Sequence, residues 1–181
     1  MNILELFYNI LFHPSETFKN AETSKPYKLP LFIVLFAAIF LTILSGNKNE
    51  NNLIFLYILQ SINLIIYWLF FSFFVDLAAR MFGIENKFNK LLTLISFSFI
   101  PWIFLAPLKL LKNSVFSDVA TILILFVWFW TIALQMLGIS ETYNIPRKNA
   151  IIILLLPFLG TILYFTWLTD FFVKLFQISW L

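Results

Sequence analysis

The sequence predicts an all-α membrane protein, a bundle of about five transmembrane helices preceded by a short amphipathic N-terminal helix. Three observations point there. Hydrophobic residues make up 61% of the 181 and charged residues only 12%, against about 45–50% and about 25% in a soluble domain. The chain carries 24 Phe and six Trp, more aromatic surface than a core of this size can hide from water. The apolar residues also gather in runs separated by short polar stretches, and each run approaches the roughly 20 residues needed to cross a bilayer.

The same composition narrows the function classes. A net charge of +3 with bases scattered between apolar runs argues against nucleic acid. Lys outnumbers Arg ten to two, the opposite of the bias that phosphate recognition favours. With no cysteine, disulfides, thiolate zinc sites and a cysteine nucleophile are excluded. The opening MNILELFYNILFHPSETF has neither a basic leader nor a small-residue cleavage site, so it does not read as a secretory signal. The first span is then its own insertion signal.

Residues 1–28 form an N-terminal segment ahead of the spans. Within it, residues 2–12 read as an amphipathic helix, with Asn2, Glu5 and Asn9 on one side and Ile3, Leu4, Phe7, Ile10 and Leu11 on the other. Such a helix lies in the membrane interface or packs its apolar face on the protein's own helices. Pro14 ends it by biasing His13 away from the helical region. It also suits the first turn of a second short helix over 14–22, with Glu16 favourably placed near its start. His13 is the only histidine, and a lone histidine makes no metal site.

The first span covers 29–45, and its 17 residues reach about 26 Å. The second, 53–75, reaches about 35 Å and must tilt or protrude. It carries Asn63 near mid-depth, where a polar side chain either bonds a neighbouring helix or lines a substrate path. Asp76 and Arg80 follow at helical spacing, acid first, the better orientation for an intrahelical pair. They read as an interfacial pair where the helix leaves the lipid; the competing reading is a carboxylate on a proton or cation path.

Gly83 offers a helix stop before the third span, 91–108. There Pro101 lacks the N–H for the Phe97 carbonyl, so the helix kinks and the freed oxygen needs a partner such as Ser96 or Ser98. Lys109 and Lys112 close this span and snorkel toward the interface. The fourth span, 119–138, holds Gln135 near its exit, and a loop over 138–149 leads to the fifth, 150–169, with Pro157 and Gly160 as a second kink. Tyr164 and Trp167 suit an interfacial belt.

Five spans put the termini on opposite sides. Eight bases (Lys19, Lys25, Lys28, Arg80, Lys87, Lys90, Arg147 and Lys148) share the N-terminal side, against four (Lys48, Lys109, Lys112 and Lys174) on the other. The excess of positive charge places the N-terminus in the cytoplasm and the C-terminus outside. The four glycines are scattered, which excludes a Gly-rich phosphate loop, and no metalloprotease or serine-hydrolase pattern is present. Asp76 and Asp170 fall at opposite faces, too far apart to share one acid–base step. The chain therefore reads as a non-enzyme without a cofactor.

Several local patterns then stand out together. PSETF runs from Pro14 to Phe18 ahead of the first span. A loop with Gly83 and Phe88 leads into SFSFIP at 96–101, and WTIALQMLGISETYNIPRKNA runs from Trp130 to Ala150 before the fifth. In order and spacing these resemble the prokaryotic branch of the Yip family, membrane proteins named for interaction with Ypt/Rab GTPases. The resemblance covers nearly the whole chain. It implies a bundle of about five spans with a cytosolic N-terminus, and a bacterial plasma membrane as the location. Prokaryotic-type members often carry a Gly-rich loop where this chain has Gly83-Ile84-Glu85-Asn86. The resemblance transfers the fold, but neither an activity nor an active-site residue; the Rab-linked role of eukaryotic members does not follow.

The leading functional reading is a non-enzymatic scaffold that contacts the lipid bilayer and other membrane proteins, a second copy of itself included. The alternative is a small transporter or channel subunit using Asn63, Gln135 and the kinks at Pro101 and Pro157. The two differ in whether Asn63, Asp76 and Gln135 converge on one cavity.

Overall fold

A computed structural model describes residues 3–21, 28–45, 53–112, 116–157 and 159. Among them every regular element is a helix. The order is α1 (Ile3–Phe12), α2 (Pro14–Asn20), α3 (Lys28–Ser45), α4 (Leu53–Met81) and α5 (Phe88–Phe97), a 3-10 turn (Ile100–Phe104), α6 (Leu105–Lys112) and α7 (Ser117–Tyr143). Residues 147–157 form a further helix, α8. Among the described residues three stretches are long and apolar enough to cross a membrane: Leu53–Met81, Phe88–Lys112 and Ser117–Tyr143. α3 is a shorter apolar helix of 18 residues. The rest of the expected fifth span, with Gly160, Tyr164, Trp167 and Asp170, lies outside the described residues.

Two helices stop for the same backbone reason. Gly83 takes φ +74°, and the N–H groups of Gly83 and Ile84 return to the carbonyls of Arg80 and Ala79 at 2.9 and 3.2 Å. A left-handed residue after the last turn closes the orphan carbonyls in this way, and glycine adopts it without strain. At the end of α7 Asn144 does the same with φ 53°, and the Ile145 N–H reaches the Ser140 carbonyl at 3.1 Å. Both helices outrun the spans read from the sequence. α4 continues six residues past position 75 and carries Asp76 and Arg80 in its last turns, and α7 absorbs Ser140–Tyr143, expected as loop.

The segment Phe88–Lys112 is the centre of the bundle: 72% of its most apolar window is buried, against 17% for α4 and 39% for α7. Leu91, Leu92, Ile95, Phe99, Trp102 and Leu105 form the core with Leu64, Trp68 and Val75 of α4 and Val127 and Ile139 of α7. Gly138 lets α7 approach closely, since a Cβ there would sit 3.3 Å from the Leu94 Cβ. Pro101 breaks the segment as expected: α5 ends at Phe97 and a 3-10 turn begins at Ile100. The serine hydroxyls serve other carbonyls than the one anticipated. Ser96 donates to Thr93 at 2.7 Å and Ser98 to Ile95 at 2.6 Å, because a hydroxyl on a helix reaches backward, not forward, to its carbonyl partners.

The N-terminal helices dock on this centre. Phe18 is fully buried among Leu94, Phe97, Leu134 and Leu137, joined by Leu6 and Ile10 of α1 and Ile33 of α3. The PSETF motif supplies the anchor: Pro14 opens α2, the Thr17 hydroxyl donates to the His13 carbonyl at 2.9 Å, and Phe18 inserts. α1 therefore packs one apolar stripe, Leu6 and Ile10, on the protein. Leu4, Tyr8 and Phe12, one stripe at four-residue spacing, remain exposed at 77%, 56% and 64%. Lys109 also departs from expectation, its ammonium donating to the Leu44 carbonyl at 2.9 Å. A cation on the last turn of α3 stabilises the helix dipole there.

Candidate functional site

The polar side chains inside the bundle separate into a charged junction and an uncharged cavity. The junction holds Asp76, the only buried charged side chain among the described residues, at 1% exposure. Its Oδ2 accepts from the Arg80 Nε at 2.8 Å and from Nη2 as well. Its Oδ1 accepts from the Tyr143 hydroxyl at 2.6 Å. A carboxylate leaves water at a cost of several kcal/mol unless it is paired and hydrogen-bonded; here one partner neutralises it and the other occupies the remaining oxygen. The pair therefore ties α4 to the end of α7. Nearby, Lys90 on α5 donates to the Glu141 carbonyl at 3.0 Å, so three helices meet through polar bonds at this end.

The cavity, of about 370 Å³, opens between α3, α4, the 3-10 turn and α7. Four aromatic rings, those of Tyr67, Phe99, Trp102 and Trp128, stand in its wall. Phe99 and Trp102 stand edge to face at 5.0 Å, and Trp102 and Trp128 at 5.1 Å. Tyr67 completes the ring wall, and Leu41, Leu64 and Ile132 add aliphatic surface. Its polar groups are Asn63, Thr131 and Gln135. Thr131 is already engaged, accepting from the Trp102 indole at 3.0 Å while donating to the Val127 carbonyl at 2.9 Å. Gln135 is 2% exposed and stands with Tyr67 in the cavity lining. Asn63 lies on the exposed flank of α4.

The structure thus brings together Asn63 and Gln135; Pro101 does not line the cavity itself, but its neighbours Phe99 and Trp102 do. The break it imposes turns Phe99 and Trp102 into the cavity from either side of the proline. Asp76 and Arg80 do not join them. Thirteen residues separate Asn63 from Asp76 on one helix, about 20 Å. Pro157 lies half-buried in α8, away from the cavity lining. Sequence reasoning missed Tyr143, which it placed in a loop, and the rings Tyr67, Trp102 and Trp128 as one wall. No local pattern signals a contact between residues 67 apart such as Tyr143 and Asp76. Among the described residues no group of three or more His, Cys, Asp or Glu could hold a metal ion.

No curated protein and no solved structure matches the chain. A family model does, the Yip1 domain, over residues 8–168. The match begins inside α1, takes in the PSETF anchor, the Pro101 break and the Tyr143 turn, and runs past the last described helix. By that match the chain belongs to the Yip1 domain family, as an integral membrane protein built from apolar helices.

Proposed function

We propose that the chain crosses the bilayer five times, with its N-terminus in the cytoplasm, and acts as a non-enzymatic scaffold that holds membrane partners or orders lipid around itself. The observation that carries this reading is the fate of Asp76. A carboxylate that serves a proton or cation path must face that path and change partners. Asp76 is occupied on both oxygens and does not line the cavity; Tyr67, the nearest cavity residue on α4, lies nine residues away, about 14 Å along the helix. Two further buried side-chain bonds, Trp68 to the Leu92 carbonyl and Trp102 to Thr131, likewise join one part of the bundle to another. The outward faces of α4 and α7 are apolar almost throughout, which suits lipid or another membrane protein.

The purified protein, reconstituted in liposomes loaded with a pH-sensitive dye and held under a potassium diffusion potential, tests this. Under the scaffold reading, proton and cation flux stays at the level of protein-free vesicles. Mild-detergent capture from native membranes then recovers stoichiometric membrane partners. Flux above that level, abolished by Asp76→Asn or Asn63→Leu, overturns the reading in favour of a transporter. A reporter active only in the cytoplasm, fused to the C-terminus, tests the orientation separately; strong activity there overturns it.

A further inference from the structure

We infer that the cavity bounded by Asn63, Tyr67, Trp102, Trp128 and Gln135 is a binding site for a neutral amphiphile drawn from the bilayer, an apolar chain or ring bearing a single hydroxyl or carbonyl oxygen. This goes beyond the scaffold reading, and it stands whether or not anything crosses the membrane.

Four observations carry it. The volume, about 370 Å³, falls within the range of sites that enclose small ligands, about 300–1,000 Å³. The wall is rigid and preformed, because Phe99, Trp102 and Trp128 brace one another edge to face and the Trp102 indole is fixed on Thr131. A wall that is already ordered costs an incoming ligand little entropy.

No charged side chain lines the cavity, so an ion entering it would lose hydration without compensation. That selects for a neutral molecule. The fourth observation is Gln135. A primary amide offers two donors and two acceptor sites to a ligand. The side chain is nevertheless almost wholly withdrawn from the surface, on the cavity wall. An amide among apolar side chains favours a ligand that carries an oxygen for it to hydrogen-bond over a plain hydrocarbon. Asn63 places a second amide on the same cavity.

Access follows from the exposed residues. Asn63, Tyr67, Trp128 and Ile132 line the cavity and also face outward from the bundle. Asn63 lies ten residues into α4, about 15 Å from its start, which puts the opening near mid-depth. The ligand therefore enters sideways from the hydrocarbon with its apolar body leading along the rings.

The test is photolabelling of the full chain in nanodiscs with a diazirine-bearing dodecanol, mapped by mass spectrometry. Labelling of Trp128–Gln135 should saturate and be competed by unlabelled dodecanol. Dodecane, lacking the oxygen, and dodecylammonium, which is charged, should compete poorly. Ile132→Trp, which fills the cavity from its outer edge, should cut that labelling about fivefold or more. Asn63→Leu, a change on an exposed flank, should weaken competition by dodecanol about two- to twelvefold, the worth of one hydrogen bond of about 0.5–1.5 kcal/mol. Labelling at Ile122 and Phe126, away from the cavity, should rise linearly and ignore both substitutions. Three results each overturn the inference: linear labelling at Trp128–Gln135 as well, equal competition by dodecane, or no effect of Asn63→Leu in a protein with unchanged Tm. Because the readout is occupancy, its failure leaves the flux test of the scaffold reading untouched.

Discussion

Tyr143→Phe removes one oxygen atom and keeps the ring, so it isolates the bond that ties α7 to α4. The hydroxyl donates to Asp76 Oδ1 at 2.6 Å, and both residues are buried. A hydrogen bond to a charged group contributes about 1.5–3 kcal/mol. Arg80 still holds the other oxygen after the change, so the carboxylate is not left alone and the cost stays near 2 kcal/mol. For a chain of this size 1 kcal/mol moves Tm by about 2–4 °C, which gives a fall of about 4–8 °C. Intrinsic tryptophan fluorescence during heating of the detergent-solubilised protein measures it without added dye. The decisive control is a double-mutant cycle. In an Asp76→Leu background the acceptor is gone, and Tyr143→Phe should then cost almost nothing. A Tm within about 1 °C of the parent in the first comparison, or an equal loss in both backgrounds, refutes the reasoning.

Other substitutions grade the remaining contacts by the same thermal assay. Phe18→Ala empties a fully enclosed site among Leu94, Phe97, Leu134 and Leu137 and should cost about 3–5 kcal/mol locally; faster proteolysis of the N-terminal segment reports the undocking of α1 and α2. Gly138→Val places branched atoms where a Cβ already stands 3.3 Å from the Leu94 Cβ, and overpacking of this kind costs about 1–3 kcal/mol. Gly83→Ala meets no neighbouring atom but is held at φ +74°, so it should lose only about 1 kcal/mol through backbone strain. Arg80→Met strips the neutralising charge from a carboxylate that is 1% exposed and should cost more than Tyr143→Phe, about 3 kcal/mol. The reverse ranking of Arg80 and Tyr143 would show that the phenol, not the ion pair, secures the junction.

The helical class was legible because lipid exposure leaves a compositional mark that no soluble core imitates. So were the stop at Gly83 and the break at Pro101, which are backbone effects confined to a few adjacent residues. So was the helical spacing of Asp76 and Arg80. The extension of α7 was not: Ser140 and Tyr143 are polar enough to read as loop, and Tyr143 is held in the helix by its bond to Asp76 across the bundle. The cavity was half legible. Asn63 and Gln135 drew notice as polar residues in apolar runs, whereas Tyr67, Trp102 and Trp128 were hidden among many other aromatic residues. Hydropathy cannot separate a helix that faces lipid from one that faces protein. α4 and the Phe88–Lys112 segment are equally apolar, yet one lies at the surface and the other at the centre.

That central position constrains how the molecule is made. The Phe88–Lys112 segment emerges from the ribosome after α3 and α4 but before α7, which supplies the far wall of its site. Until α7 arrives, Leu94 lacks the close face of Gly138, and the Trp102 indole lacks the Thr131 oxygen. Lipid must cover that side in the interval, and an unpaired indole N–H in hydrocarbon is unfavourable. A ribosome stalled before residue 117 therefore leaves a half-built bundle whose core helix is exposed. Chaperones that shelter polar groups in the membrane should recognise that nascent chain and release it once α7 has inserted.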